Sequence, residues 1–249
     1  MTASLYTTIA VLFVDVVASK TWEIERRLIR ERFLRDSRRM SYKSLNDRRR
    51  RIALVPFLSA TNHIHGVLAT FVIRKAIKNI VIKPGSLTQW KECLDLKGSW
   101  TEVQFEQMLR VAHFVSMLIG TLGMSGQSIY WISDEDEIMA NPARHADVSR
   151  IMSGLANLYV KFHPSELGLG TTSIDPGDRI EEDLSAITDL AAGAIADIVT
   201  ELSKMSGYGI SQHLIPINIV EKTKHIGNWY SDDSRHLKKI IMVFDESDR

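Results

Sequence analysis

The sequence predicts an α/β fold in which a mixed sheet carries helices on both faces. Three observations point there. Nearly unbroken β-branched and apolar runs at 6–17, 65–75 and 127–133 read as strands covered by other layers. Residues 101–122 and 180–202 carry the period of amphipathic helices. Strands come first, and helices then alternate with single strands.

Taken in order, 6–17 is expected to be a central strand. Residues 22–39 are charged and helix-prone with few apolar positions, so 20–40 is expected as an exposed basic excursion. MSYKSL at 40–45 alternates as a short strand does, and Asn46 or Asp47 can cap a helix running to Asn62, bent or ended by Pro56. A second strong strand follows at 65–75. The helix at 101–122 presents Val103, Phe105, Leu109, Ala112, Val115, Met117 and Leu118, and the strand at 127–133 leads directly into DEDE at 134–137. A helix at 143–157, a short strand at 158–162 and the loop GLGTTSIDPGDR precede the helix at 180–202, and KKIIMVF at 238–244 reads as a last strand. No repeat, low-complexity tract or linker marks a boundary, so a single domain over 1–249 is expected, with 204–249 as a C-terminal extension.

Composition narrows the function classes. The chain is 45% hydrophobic and 24% charged, enough to fill a sizeable core. One cysteine, Cys93, excludes an internal disulfide framework and a multi-cysteine zinc site, and a cytoplasmic setting is expected. The apolar start is interrupted by Asp15 and closed by Lys20, so it reads as a strand, with no membrane partner expected. A net charge of +1 conceals a division: residues 26–51 carry twelve bases and three acids, whereas 134–201 carry fourteen acids and four bases. The first region suits a polyanion and the second a cation, unless the two neutralise each other within the fold.

The candidate chemistry begins at Asp15. In VLFVDVV a carboxylate faces a low-dielectric core and must be paired or bound to a cation. Asp134 follows another apolar strand, and neighbouring central strands would bring the two acids together at the carboxyl edge of the sheet, where α/β folds bind ligands. A hard cation such as Mg²⁺ or Mn²⁺ would remove their repulsion and leave positions open for water and phosphate. Asp189 is the third acid. It lies in a stripe of small residues, Ser185, Ala192, Gly193 and Ala196, that lets its helix approach another element with Asp189 directed into the contact. Taken singly, each has an ordinary alternative: Asp15 paired with an arginine or lysine, Asp134 as a cap, Asp189 as a surface acid.

An aspartate in the first strand, DE directly after the fourth, and TDLAAGAIADI in a late helix together resemble a broad bacterial family of uncharacterised RNase H-like proteins. In that family the late motif reads close to Gln-Leu-Ala-Asp-Leu-Ile-Ala-Gly. Ile187 to Gly193 aligns on it with Asp189 as the acid, and the resemblance covers roughly residues 6–200. It implies an RNase H-like mixed five-stranded sheet with helices on both faces, a helical insertion and a C-terminal strand. It also implies a metal-dependent nuclease in which Asp15, Asp134 and Asp189 hold Mg²⁺ or Mn²⁺. Lys43 matches a lysine that would orient water or phosphate, and Arg38, Arg39, Arg48, Arg49, Arg50 and Arg51 would bind the backbone of RNA or DNA. The family has Asp-Glu-Ser-Gly where this chain has VDVVAS, with Val16 in place of the glutamate. Either Glu135, Asp47 or Glu106 replaces that acid, or the chain is a non-catalytic nucleic-acid-binding or scaffold subunit. A homo-oligomer or protein partner, and a mobile-element or phage-defence setting, accompany the resemblance. A small-molecule hydrolase or transferase using the same sheet edge is the reading outside this class.

Weaker features do not change the choice. His63 and His65 would share one side of a strand, but no third ligand stands nearby in sequence. The glycines of GLGTTSIDPGDR lack the Lys-Ser/Thr of a phosphate loop. Trp22, Phe33 and Tyr42 are candidates to stack on bases, and equally suited to packing.

Overall fold

A computed structural model of the chain describes residues 5–35, 38–77, 80–133, 141–171, 179–206 and 220–244. In chain order the elements are β1 (Tyr6–Val14), α1 (Lys20–Phe33), a 3₁₀ turn (Lys43–Asn46), α2 (Arg48–Ala60), a second 3₁₀ turn (Thr61–His63), β2 (Gly66–Arg74), α3 (Leu87–Cys93), α4 (Glu102–Leu122), β3 (Ser128–Ser133), α5 (Pro142–Tyr159), β4 (Glu166–Thr171), α6 (Ile180–Ser206), α7 (Glu221–Ser231) and β5 (Leu237–Phe244). They divide into two compact units, Met1–Ala76 with Glu182–Arg249, and Ile77–Glu181.

The first unit is built on a three-stranded sheet in the order β1-β2-β5. The middle strand, β2, runs antiparallel to β1 from Tyr6↔Arg74 to Val14↔Gly66, and parallel to β5 from Gly66↔Leu237 to Ile73↔Phe244. Leu68, Ala69, Phe71 and Val72 of β2 are wholly buried, as its continuous apolar sequence requires of a strand covered on both faces. α6 docks on β1, where the Thr8 hydroxyl donates to the Ala192 carbonyl at 2.8 Å. α7 is tied in by Trp229 Nε1, which donates to Thr61 Oγ1 at 3.0 Å, and by the Tyr230 hydroxyl, which reaches the Ile240 carbonyl at 2.6 Å. Asp47 caps α2 by accepting from the backbone N–H groups of Arg49 and Arg50. Pro56 does not end that helix. Residues on both sides of it stay helical, and the helix runs on to Ala60.

In the second unit, α4 opens on a capping box between Thr101 and Gln104. α5 connects the parallel pair β3 and β4, in register from Ser128↔Glu166 to Ser133↔Thr171. Two buried carboxylates hold its loops. Asp147 accepts from the N–H groups of Lys97 and Gly98 and from Trp100 Nε1. Glu106 accepts from the N–H groups of Ile80, Val81 and Ile82 and from Arg110 Nε at 2.7 Å.

Several expectations are corrected. Among the described residues the strands form a three-stranded and a two-stranded sheet, not the single five-stranded RNase H-like sheet. β1 is an edge strand of its sheet and mostly half-buried, not a central strand covered on both faces, and it ends at Val14. Residues 40–45 form no strand, because the Ser41 and Ser44 hydroxyls bond each other's backbone and fold the segment into the 3₁₀ turn. α1 is no exposed excursion, since Trp22, Arg26 and Ile29 are buried. α5 runs on to Tyr159, and the strand expected at 158–162 is replaced by β4, formed from the glycine-containing segment that sequence alone read as loop.

Burial by itself would raise the Glu106 pKa, but the N–H of Ile80, Arg110 and the N–H groups of Ile82 and Val81 outweigh it and hold the carboxyl below its ordinary range. A depressed folded value contributes stability above about pH 4.3, where the unfolded carboxyl is ionised, and the contribution disappears as pH falls through the folded value. Thermal unfolding followed from pH 7 downward should therefore show an acid-sensitive step below about pH 4.3. Glu106→Gln should be less stable at pH 7 and should flatten that step; an unchanged acid profile would contradict this role.

Candidate nucleic-acid interface

The basic segment separates into two kinds of cation. On α2, the helical period turns Arg50 inward with Ala53, Leu54 and Phe57, and leaves Arg48, Arg49 and Arg51 exposed. Arg50 is 2% exposed and donates to the Arg39 carbonyl at 3.4 Å. Arg39 is half-buried and donates to Ser185 Oγ at 2.8 Å, while Arg38 is exposed. Arg26 and Arg30 of α1 both bind Asp183, so part of the basic excess meets part of the acidic excess inside the first unit. The side chains of Arg48, Arg49 and Arg51, by contrast, meet no carboxylate among the described residues.

Arg48 and Arg51 line a cleft of about 350 Å³ beside α7, which contributes Lys222 and His225; Leu45, Ile52 and Leu54 form its apolar wall. Glu221 lies at the same cleft, 3.7 Å from His225. The cleft thus sets three basic side chains and an imidazole beside one carboxylate, Glu221, against an apolar wall, so its lining is net positive.

The expected acids are distributed differently. Asp15 is exposed and lies in the turn after β1, with one oxygen accepting from the Ala18 N–H at 3.0 Å. It leaves the sheet because the chain must turn there to begin α1, and Val16 and Val17 are carried to the surface with it, 63% and 81% exposed. Asp134 and Glu135 lie outside the described residues. Asp189 is half-buried and accepts from the Tyr42 backbone N–H at 2.6 Å. α6 meets β1 at Thr8, and the strand rise from Thr8 to Asp15 is roughly 23 Å. Only about 4.5 Å separates Asp189 from Ala192 along the helix, so Asp15 and Asp189 stand at opposite ends of β1. Lys43 is exposed in the 3₁₀ turn, not on a strand. Asp47 and Glu106 are occupied as caps for α2 and for residues 80–82. Among the described residues, no three His, Cys, Asp or Glu side chains converge as a metal-holding group.

The stripe of small residues on α6 has a definite partner. Ser185, Asp189, Gly193 and Asp197 follow one another at four-residue spacing along one face. Arg39 meets the first, and Tyr42 covers the other three. Its N–H goes to Asp189, its ring lies where a Cβ on Gly193 would be, and its hydroxyl donates to Asp197 and meets the Thr223 hydroxyl. Lys222 closes the far side, with Nζ 4.4 Å from the ring centre. Burial, and after it the bond to Asp197, push the Tyr42 phenol well above its ordinary pKa. Tyr42 is therefore held as packing, and so is Trp22, 3% exposed. Phe33 is half-buried, with Arg32 over its ring at 5.1 Å.

Sequence reasoning missed Lys222 and His225, which belong to α7 in a region read only as an extension. The usable signal was the spacing of Thr223, Ile226 and Tyr230, which buries one side of a short helix and leaves the basic residues between them.

Asp189 acting as a backbone cap makes a specific demand. Asp189→Ala leaves the Tyr42 N–H unserved and should cost about 1–3 kcal/mol, whereas Asp189→Asn keeps an acceptor oxygen and should cost less. Urea denaturation of the two variants distinguishes them, and equal losses would contradict the cap. Compared with protein-family models, with curated proteins and with solved structures, the chain matches none.

Proposed function

We propose that the chain binds nucleic acid through its sugar-phosphate backbone, along the exposed basic face of the first unit. The observation that carries this reading is the set of exposed guanidiniums on α2, two of which share the cleft with Lys222 and His225. Successive phosphates are a ligand chemistry that uses such a cluster, since each guanidinium can bind a phosphate with two N–H donors and release condensed counterions. Contacts of this kind set affinity and register on the strand and carry little sequence preference. Exposed Lys43 and Arg38 extend the same positive segment.

This reading needs neither a metal ion nor Asp15. Fluorescence anisotropy with labelled single-stranded RNA and DNA over a salt series tests it. The double variant Arg48→Ala/Arg51→Ala should bind more weakly, and the slope of log affinity against log salt should fall by roughly 0.7 per lost phosphate contact. Unchanged affinity and slope would overturn the proposal. The labelled strand should also stay intact after incubation with Mg²⁺ or Mn²⁺; cleavage abolished by Asp15→Asn would instead establish the metal-dependent nuclease that the family resemblance implies.

A further inference from the structure

At the end of the first sheet the strand register brings together side chains far apart in sequence. Val14 pairs with Gly66, and the ladder continues one step further, with the Asp15 N–H donating to the His65 carbonyl at 2.8 Å. On the other side Gly66 pairs with Leu237, and the Gly66 N–H donates to the His236 carbonyl at 3.2 Å. His65 and His236 are thus the residues just before the paired stretches of two adjacent parallel strands. Neighbouring strands lie about 4.8 Å apart, and residues in register on them face the same side. The two imidazoles accordingly stack, with ring centres 4.0 Å apart and planes 27° from parallel.

We propose that His65 and His236 form a two-imidazole chelate for a borderline divalent transition ion such as Zn²⁺, with water completing its coordination. Two Zn–N bonds of about 2.1 Å require one nitrogen of each ring within about 4.2 Å of the other. Stacked rings hold their lone pairs in nearly parallel planes, so both imidazoles must turn out of the stack to reach one ion, and it is the in-register backbone spacing of about 4.8 Å that lets them converge. The backbone positions are already fixed. The His65 N–H is held by Ser19 Oγ at 2.9 Å, and its carbonyl by Asp15. Neither ring has a hydrogen-bond partner among the described residues, so the ring nitrogens are uncommitted.

The charged surroundings favour the neutral, ligating form. Partial burial, then His65, Arg235 and His63, hold His236 below the usual imidazole range. The groups next to the pair are His63 in the 3₁₀ turn, Arg235 beside His236, and Asp15, just past the end of β1, whose N–H meets the His65 carbonyl. An ion here would fasten the start of β5 to β2 and stabilise the C-terminal strand of the sheet. The site shares no residue with the basic cleft, so either proposal can fail without the other.

The test is calorimetric titration of the full chain with ZnCl₂ at pH 7.5, in a Cys93→Ser background because that thiol is exposed. One ion should bind per chain, with a rise in melting temperature, and binding should fade as the pH is lowered through the imidazole range. His65→Gln and His236→Gln should each weaken binding by at least the roughly 10–100-fold that loss of a supporting partner costs a metal site, and His163→Gln should leave it unchanged. Circular dichroism without metal confirms that the variants fold; should His65→Gln fail to do so, His236→Gln decides. Absence of saturable binding in the parent chain, or binding that persists in a folded His236→Gln, overturns the proposal.

Discussion

A carboxylate with no exposure to solvent, Asp183, holds α6 to α1 through two guanidiniums: Arg26 at 3.0 Å, and Arg30 through both Nε and Nη2 at 2.6 Å. Stripping water from such a group is costly, and the double clasp of Arg30 with the buried Arg26 offsets that cost. The arrangement also fixes how α6 is rotated. With Asp183 turned toward α1, the stripe beginning at Ser185 is presented to Arg39 and Tyr42, and the small residues within it admit the tyrosine ring. Much of the first unit follows from satisfying this buried charge and the hydroxyl and carboxylate groups that come with it.

The same constraint sorts the basic residues. A run of arginines looks uniform in sequence, yet in the fold some of its members are structural. Arg26 and Arg30 neutralise Asp183, Arg50 lies under the start of α2, and Arg39 spans to Ser185. Two of the arginines left on the solvent side of α2, Arg48 and Arg51, line a cleft with Lys222, itself positioned by Tyr42. Packing and binding are thereby coupled: the tyrosine that covers the α6 stripe also orients one wall of the basic cleft.

The second unit solves a different problem with similar means. Its loops carry backbone N–H groups with no strand or helix to receive them, and Glu106 and Asp147, both buried on helices, accept them in groups. An acid that looks like a spare ligand in sequence is thus used up in ordering the backbone. Asp47 at the start of α2 and Asp189 beneath Tyr42 act in the same way.

The strong elements were legible in the sequence because their signals are local. The periodicity of α4 and α6, the cap at Asp47, and the apolar runs of β2 and β5 each depend on residues within a few positions of one another. The small-residue stripe around Asp189 likewise announced a close contact, though not its partner. What the sequence by itself determined is therefore the set of main helices and strands, the uneven charge and the faces that must be buried. Tertiary structure alone decided that β1 ends before Asp15, which arginines are consumed by buried acids, and that His65 stands against His236. The last two outcomes depend on partners more than a hundred residues away. The energy that selects them, pairing a buried charge or serving a buried N–H, exists only once the partner has been brought into place.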